Sequence, residues 1–374
     1  MGCNLLFIED SINKEAETLT KIDIKETYLL MVDVRKCGGY QMVDKNAGLD
    51  LDHTTMAIKE IAKFHGLSWV YRSKKGLENL RCEFPYLVET VLTSDSAAKL
   101  LDDNFKVVEE IAKNNYDPDS RPIRGLQQLK EIGPMRVFSA FLRNEFSDPA
   151  IKEYLNGISK EDEDSGTAKC LYNYINLRHE QACPSLHEIF TLIITEKWEI
   201  ACHGDFWMNN MMFKYDNDDP TGKPRSLILV DLQFCREGCP MTELAYMFYT
   251  STTYELRKNH MAQLIQLYHD GFIGVCEQFG VVPPKGFTFP TLMEKMRRAK
   301  IQGLLSASFI LPIILSESLK MDDLKVEKEE GSGSNETEDV SDIFKLLTAT
   351  AKSNVVMNKR FTDMLKELVE DGVF

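Results

Sequence analysis

The sequence predicts an α+β protein in which two strands lead into a large, mainly helical region that holds a small cluster of further strands. Three observations support this fold class. Two apolar runs, CNLLFIED and TYLLMVDV, open the chain, and helical periodicity begins at Leu51. Residues 198–234 return to strand-like runs separated by a turn rich in Asp, Pro and Gly. Strands and helices do not alternate, which argues against a doubly wound parallel sheet.

The individual elements follow from local patterns. The two N-terminal strands fall within residues 1–36, and Gly38-Gly39 permits a sharp turn after them. The run LDHTTMAIKEIAKFHG predicts a helix with Asp52 as its N-cap and Gly66 as its stop. WEIACHGD, NNMMFKYD and SLILVDLQF predict three short strands. Further helices are predicted across residues 94–114, 122–145, 168–181, 184–197, 240–252, 255–280, 288–318 and 341–371.

A charged segment rich in Gly and Ser interrupts the C-terminal helices. Residues 325–341 combine many acidic residues with Gly-Ser pairs and almost no large apolar side chains. A segment of this composition cannot bury enough apolar surface to offset the conformational entropy lost on ordering. We therefore expect a disordered acidic loop there.

The composition limits the classes of function. The 374 residues carry a net charge of −14, which disfavours a partner as acidic as nucleic acid. Nine cysteines are scattered without a CxxC pair, as is typical of reduced thiols in the cytoplasm. The N-terminus lacks the pattern of a signal peptide, and the most apolar run, LLSASFILPIIL, is too short to span a bilayer. We expect a cytoplasmic protein with no nucleic-acid partner and no membrane span.

The stretch HGDFWMNNMMF carries the clearest chemical pattern of the chain. His203-Gly204-Asp205 is followed by Asn210 after four intervening residues, and the apolar run LILVD delivers Asp231 further along. The turn NDDPTGKPR between them predicts a hairpin that returns Asp231 beside Asn210. Phosphoryl transfer needs such parts: a carboxylate for the proton of the attacking hydroxyl, and oxygen ligands that hold magnesium against the phosphates.

The position of Asp231 adds a physical argument. A carboxylate at the end of a buried strand is unfavourable unless a positive charge compensates it, and Mg²⁺ would supply that charge. The alternative interpretation is a buried polar network in which Asp205 and Asn210 cap a turn. A hydrolase is disfavoured because the sequence contains no G-x-S-x-G motif.

HGDFWMNNMMF followed by LVDLQF resembles the ecdysteroid kinase-like family, which is related to choline kinases and aminoglycoside phosphotransferases. LLMVDVRKCGGY, IAKFHGLSW and CPMTELAYMFYTS also resemble segments of that family, so that the likeness covers roughly residues 25 to 320. It implies a protein-kinase-like fold with a truncated β N-lobe and a large, mainly helical C-lobe that holds the catalytic loop and a small β-hairpin. Residues 1–36 would be the remnant of the N-lobe, with its last two strands and the hinge, and residues 37–374 the C-lobe.

The resemblance also implies roles for individual residues. Asp205 would be the catalytic base, and His203 would brace its loop. Asn210 and Asp231 would be the ligands of Mg²⁺. The cofactors would be ATP and Mg²⁺, and the acceptor a hydroxyl group of a small lipophilic molecule such as an ecdysteroid. The adenine of ATP would face the hinge backbone, which comprises Met31, Val32 and Asp33.

The chain departs from the family pattern at several positions. Glu243 stands where an aspartate is usual, and Val32 where the hinge usually has a glutamate. No glycine-rich turn or strand lysine precedes the hinge, although both normally hold the phosphates of ATP. Two hypotheses follow: an ATP-dependent small-molecule kinase, or a catalytically impaired, pseudokinase-type binding protein that lacks the glycine loop and the ATP lysine.

Overall fold

The computed structural model describes residues 33–44, 46–88, 95–143, 149–151, 153, 198–216, 222–315 and 354–374. Packed helices and two antiparallel two-stranded sheets make up this part of the chain, so the α+β prediction is confirmed. Several predicted features lie outside the described residues: the two N-terminal strands, Met31, Val32, the helices at 168–181 and 184–197, and the acidic segment 325–341.

The described elements are numbered in chain order. The strands are β1 (Ile200–Cys202), β2 (Met211–Tyr215), β3 (Pro224–Leu229) and β4 (Arg236–Gly238). The helices are α1 (Val34–Gly38), α2 (Leu51–Lys75), α3 (Asp95–Asn115), α4 (Arg121–Ile132), α5 (Pro134–Arg143), α6 (Pro240–Ser251), α7 (Tyr254–Gln278), α8 (Phe289–Ile314) and α9 (Val355–Glu370).

Helix α1 connects the predicted hinge to the small sheet. Asp33 is its N-cap, and its carboxylate accepts hydrogen bonds from the first backbone amides of the helix. Gly39 ends it with φ of 69°, a left-handed conformation that glycine adopts without steric cost, so the predicted sharp turn is confirmed. Gln41 then pairs with Phe213 of β2 through backbone hydrogen bonds of 2.7 and 2.8 Å. The segment after the hinge is thereby fixed to the β2–β3 hairpin.

Helix α2 begins at the predicted residue, but both predicted signals at its ends were wrong. Its N-cap is Asp50 rather than Asp52, and it continues past Gly66 until Gly76 ends it with φ of 65°. Gly66 lies against Val275 of α7, where an added Cβ would come within 2.9 Å of the Val275 Cβ. The glycine therefore allows two long helices to approach closely, which a reading of local signals cannot reveal.

The predicted helix at 122–145 is also wrong in one respect, because the structure contains two helices there. Gly133 separates α4 from α5 with φ of 99°, and Pro134 opens α5. Proline lacks a backbone N–H and clashes with the preceding turn, so a continuous helix cannot pass through it without distortion. It is well suited to the first turn of the next helix.

Helix α6 lies at the centre of the helical region, where it packs against α8. Nearly every residue of α6 is buried, as expected of a helix that is apolar around most of its circumference. Helix α9 is attached to the neighbouring helices by charge pairs: Glu367 accepts from Arg257 at 2.8 Å and from Lys300 at 3.1 Å. These buried charges are paired, as burial requires. These charge pairs hold α9 against α7 and α8.

The two sheets surround the polar stretch identified in the sequence. Strand β1 pairs antiparallel with β4, which places Cys202 opposite Arg236. Strand β2 pairs antiparallel with β3, which places Met211 opposite Leu229. The sequence analysis predicted β1, β2 and β3 but not β4, whose segment lacks an apolar run. Over the residues that the structure describes, no helix is long and apolar enough to cross a membrane.

Candidate active site

The β2–β3 hairpin returns the chain to the loop that precedes it. After the last pair of the ladder, the backbone N–H of Val230 donates to the carbonyl oxygen of Asn210 at 3.0 Å. Asp231 is the next residue, so it follows directly on the backbone position that contacts Asn210. The predicted hairpin, and the return of the chain that it was expected to produce, are confirmed.

Asp205 and Asn210 are joined by side-chain hydrogen bonds. Nδ2 of Asn210 donates to Oδ2 of Asp205 at 2.7 Å and to the backbone carbonyl oxygen of Asp205 at 2.9 Å. Because an ionised carboxylate can only accept hydrogen bonds, the nitrogen of the Asn210 amide must face Asp205. This orientation leaves Oδ1 of Asn210 for another partner, such as a cation.

Tyr246 of α6 contacts the second oxygen of the same carboxylate. Its hydroxyl donates to Oδ1 of Asp205 at 2.7 Å. Burial, followed by the charge of Asp205, raises the pKa of Tyr246 well above its usual value, so the phenol remains a donor. Tyr246 was not predicted as a site residue, because its only signal in the sequence is its place one helical turn after Glu243.

Glu243 holds the backbone of the loop from beneath. Its Oε1 accepts from the Gly204 N–H at 2.6 Å, and its Oε2 accepts from the His203 N–H at 2.9 Å and from Nε2 of His65 at 2.8 Å. Burial raises the pKa of Glu243, but the hydrogen bond from His65 and the neighbouring positive charge outweigh this effect and hold the pKa below its usual value. The hydrogen bonds to His203 and Gly204 show that the Glu243 side chain reaches the backbone of the loop.

The side chain of His203 links the loop to the end of the hairpin. Nε2 donates to the carbonyl oxygen of Val230 at 2.9 Å, and Nδ1 lies 3.4 Å from the Asp205 nitrogen. These contacts are satisfied by the tautomer that carries its proton on Nε2. The ring is completely buried, so its orientation is fixed by packing as well as by hydrogen bonds.

Gly204 is required by both conformation and space. Its φ is 87°, and an added Cβ would lie 1.7 Å from the carbonyl oxygen of Phe234. Arg236 also contacts Gly204, because its Nη1 donates to the Gly204 carbonyl oxygen at 2.9 Å. The backbone at Gly204 therefore lies in close contact with the segment after Asp231.

Asp231 adopts a left-handed backbone conformation, with φ of 64° and ψ of 67°. Among the residues that the structure describes, it is the one non-glycine residue with positive φ. Its side chain is exposed and the strand before it is only partly buried, so the expectation of a buried carboxylate that needs a compensating charge was wrong. Oδ2 of Asp231 accepts from Nε2 of Gln233 at 3.1 Å. Such conformations are unfavourable and concentrate at functional sites, so the outlier marks Asp231 as a functional candidate.

The donor set fits the ion that the sequence predicts. Mg²⁺ prefers oxygen ligands, usually one or two carboxylates together with water and phosphate oxygens. Oδ1 of Asn210 and the carboxylate of Asp231 offer that chemistry from adjacent points of the hairpin. Both side chains can supply oxygen ligands, and the hydrogen bond from the Val230 N–H to the Asn210 carbonyl oxygen holds the two segments together.

The predicted hinge is described only in part. Asp33 uses its carboxylate to cap α1, with Oδ1 accepting from the Arg35 nitrogen at 3.0 Å. Its side chain is therefore engaged in the local turn. Met31 and Val32, the other predicted adenine contacts, precede the described residues.

A second group of potential metal ligands lies beneath the loop. Ligand atoms of His65, Cys202 and Glu243 all lie within 4.8 Å of one another, and all three side chains are buried. His65 is already bonded at both ring nitrogens, to Glu243 and to the Tyr268 hydroxyl at 2.8 Å. Burial and the charge of Glu243 raise the pKa of the Cys202 thiol well above its usual value. The hydrogen bonds of His65 and Glu243, to each other and to their neighbours, account for the position of this cluster without a metal ion.

Kinase-type sites place a carboxylate, an amide and a second carboxylate around the phosphates of ATP. The match of this chain to a family model implies the class of kinase-like small-molecule phosphotransferases. The chain belongs to the ecdysteroid kinase-like family, whose model matches residues 9–142 and 135–281, together well over half of the sequence. The resemblance seen in the sequence is thereby confirmed. A search of curated proteins found no match.

Proposed function

We propose that this protein is an ATP-dependent small-molecule kinase that transfers a phosphoryl group to a hydroxyl of a lipophilic acceptor such as an ecdysteroid. The observation that supports the proposal most strongly is the hydrogen bond of 2.7 Å between the side chains of Asn210 and Asp205. The β2–β3 hairpin then brings the chain back to Asn210 directly before Asp231. The family supplies the class of reaction. The residues supply the means to perform it.

In the proposed reaction, the oxygen of the acceptor hydroxyl forms a bond to the γ-phosphorus of ATP. The bond between that phosphorus and the oxygen bridging to the β-phosphate breaks, and ADP leaves. Asp205 orients the hydroxyl and takes its proton, which then passes to solvent. The products are ADP and the phosphate monoester of the acceptor.

Asn210 and Asp231 would hold the magnesium ion, which neutralises negative charge on the phosphates. The residues around them keep the loop in place before substrate arrives. Glu243 fixes the backbone at His203 and Gly204 with bonds of 2.9 and 2.6 Å. Such pre-organisation supports catalysis because the polar groups do not need to reorganise during the reaction.

The remaining parts of the proposal concern the surroundings of this site. The hinge backbone at Met31, Val32 and Asp33 would face the adenine of ATP, within a small N-terminal lobe formed by residues 1–36. The helical residues 37–374 would form the larger lobe, with residues 325–341 as a disordered loop. We propose a cytoplasmic location, consistent with the scattered cysteines of the sequence.

The direct test incubates the full chain with MgATP and a panel of lipophilic alcohols that includes ecdysteroids. Mass spectrometry is then used to detect a product that has gained one phosphoryl group. Asp205→Asn should lower the transfer rate by roughly 100-fold or more, since the proton acceptor is lost. Asp216→Asn is the matched control, because Asp216 is exposed and pairs with Arg225, at 3.3 Å, on the same hairpin.

Two outcomes would contradict the proposal. If no alcohol is phosphorylated although MgATP binds, the chain is the pseudokinase-type binding protein that the sequence left open. If transfer occurs equally in wild type and Asp205→Asn, a kinase reaction takes place but Asp205 is not its base.

A further inference from the structure

We infer that Tyr246 is a positioning residue, whose hydroxyl orients the Asp205 carboxylate toward the acceptor. The inference rests on the proposed kinase function and adds a residue to it. Tyr246 lies on α6, outside the loop and the hairpin that carry the sequence motif. It is not expected to contact ATP or magnesium, so its effect is exerted through Asp205.

The first observation is that both oxygens of Asp205 have a donor. Tyr246 donates to Oδ1 and Asn210 to Oδ2, each at 2.7 Å. Two donors on opposite oxygens fix the plane of a carboxylate, which would otherwise rotate about its terminal torsion. The carboxylate is therefore held in one orientation before any acceptor arrives.

The second observation concerns the helix that presents the phenol. Glu243 and Tyr246 are three residues apart on α6, so their side chains lie on the same helix face. Glu243 holds the backbone of the loop at Gly204, and Tyr246 holds the side chain of the next residue, Asp205. One buried helix thus sets the position of the base at two points, independently of the hairpin.

The hydrogen bond from Tyr246 leaves part of the hydrogen-bonding capacity of the Asp205 carboxylate for the acceptor. A carboxylate oxygen can accept two hydrogen bonds, so the phenol occupies one direction at Oδ1 and leaves the other. An acceptor hydroxyl can approach there while Tyr246 remains in place. Without the phenol, Asp205 would keep its charge and its bond to Asn210 but would sample orientations that do not point at the acceptor.

The test compares Tyr246→Phe with Tyr71→Phe. Tyr71 is a matched control because its hydroxyl also donates to a carboxylate at 2.7 Å, that of Glu83, on an exposed surface. The probe is hydrolysis of MgATP by the full chain, with water as the acceptor, together with calorimetric binding of MgATP. For Tyr246→Phe we expect kcat to fall about 10-fold or more, because misorientation of a reacting group is costly. The Kd for MgATP should stay within about twofold of wild type, since the phenol acts on the base and not on the nucleotide.

A second measurement shows whether the two side chains act as a pair in the folded protein. Tyr246→Phe should lower the midpoint of urea unfolding in wild type, but have little effect in an Asp205→Ala background, where the phenol has already lost its partner. This cycle needs no turnover, so it gives a result even for a variant with low activity.

The results separate the failure of this inference from the failure of the proposed function. Wild type that neither binds nor hydrolyses MgATP overturns both. Wild-type turnover with unchanged kcat in Tyr246→Phe, or an equal loss in Tyr71→Phe, overturns the inference alone. Equal shifts of the unfolding midpoint in the two backgrounds, or a matching loss of MgATP affinity, would also overturn it, because they indicate a general structural role.

Discussion

Oε1 of Glu243 lies 2.6 Å from the backbone nitrogen of Gly204, the residue between His203 and Asp205 in the sequence motif. The other oxygen of the same carboxylate accepts from His65 and from the His203 backbone. A single buried side chain therefore satisfies two backbone donors of the loop and joins the loop to α2. The glutamate side chain therefore reaches the loop backbone from α6.

The brace at Glu243 should contribute strongly to stability. In Glu243→Gln, the amide nitrogen must face a backbone N–H or the His65 ring, so one buried donor is left without an acceptor. We expect a loss of about 3 kcal/mol in the free energy of unfolding. Urea unfolding at neutral pH measures it. Glu60→Gln, at an exposed pair with Lys63, is the control and should change stability by less than about 0.5 kcal/mol. Equal effects would contradict the brace.

The stabilising effect of Glu243 should depend on pH. The pKa of Glu243 is lower in the folded protein than its usual value near 4.5. The ionised carboxylate therefore stabilises the folded state above about pH 4.5, and this stabilisation is lost as the pH falls through the lowered pKa. The difference in unfolding free energy between wild type and Glu243→Gln should therefore shrink as the pH falls below about 4.5. The titratable groups that face the carboxylate are His65, Cys202, His203 and Arg236.

This pH dependence is checked by urea unfolding of both proteins in a series of buffers. A difference that stays constant, or grows as the pH falls, would show that the carboxylate is not the source. His65 is the partner to replace in a second series: in a His65→Ala background, the effect of Glu243→Gln should be smaller, because the residues are in direct contact.

Gly204 should not tolerate any side chain. In Gly204→Ala the new Cβ would lie 1.7 Å from the Phe234 carbonyl oxygen, in a backbone conformation that already disfavours alanine. We expect a loss of about 3 kcal/mol or more. Gly76→Ala separates the two causes, since Gly76 also has positive φ, 65°, but an added Cβ there meets nothing within 4 Å. That control should lose only about 1 kcal/mol. Similar losses would refute the close approach at Gly204.

The local part of the site could be predicted from sequence because its determinants are local. The spacing from Asp205 to Asn210 is set by a short loop, and the return of Asp231 by a two-stranded hairpin with a strong turn signal. Short apolar runs and a turn rich in Asp, Pro and Gly specify both. For the same reason the onset of the helical pattern at Leu51 and the sharp turn at Gly38-Gly39 were predicted correctly, although the N-cap of α2 was not.

The features that sequence did not reveal depend on distant contacts. Gly66 resembles a helix stop but accommodates Val275 of another helix. The bond from Tyr246 to Asp205 joins residues 41 positions apart and exists only because α6 packs beneath the loop. Strand β4 has no apolar run of its own and forms because β1 is there to pair with it. Tertiary packing decides each of these cases.

We propose above all that Asn210 and Asp231 bind a magnesium–nucleotide complex next to Asp205. Isothermal titration calorimetry of the full chain with ATP, with and without Mg²⁺, measures this binding. We expect binding that requires Mg²⁺ and weakens about 10-fold or more in Asp231→Asn, while Asp216→Asn binds as wild type does. ATP binding that is equally tight without Mg²⁺, or that Asp231→Asn leaves unchanged, would refute the magnesium site.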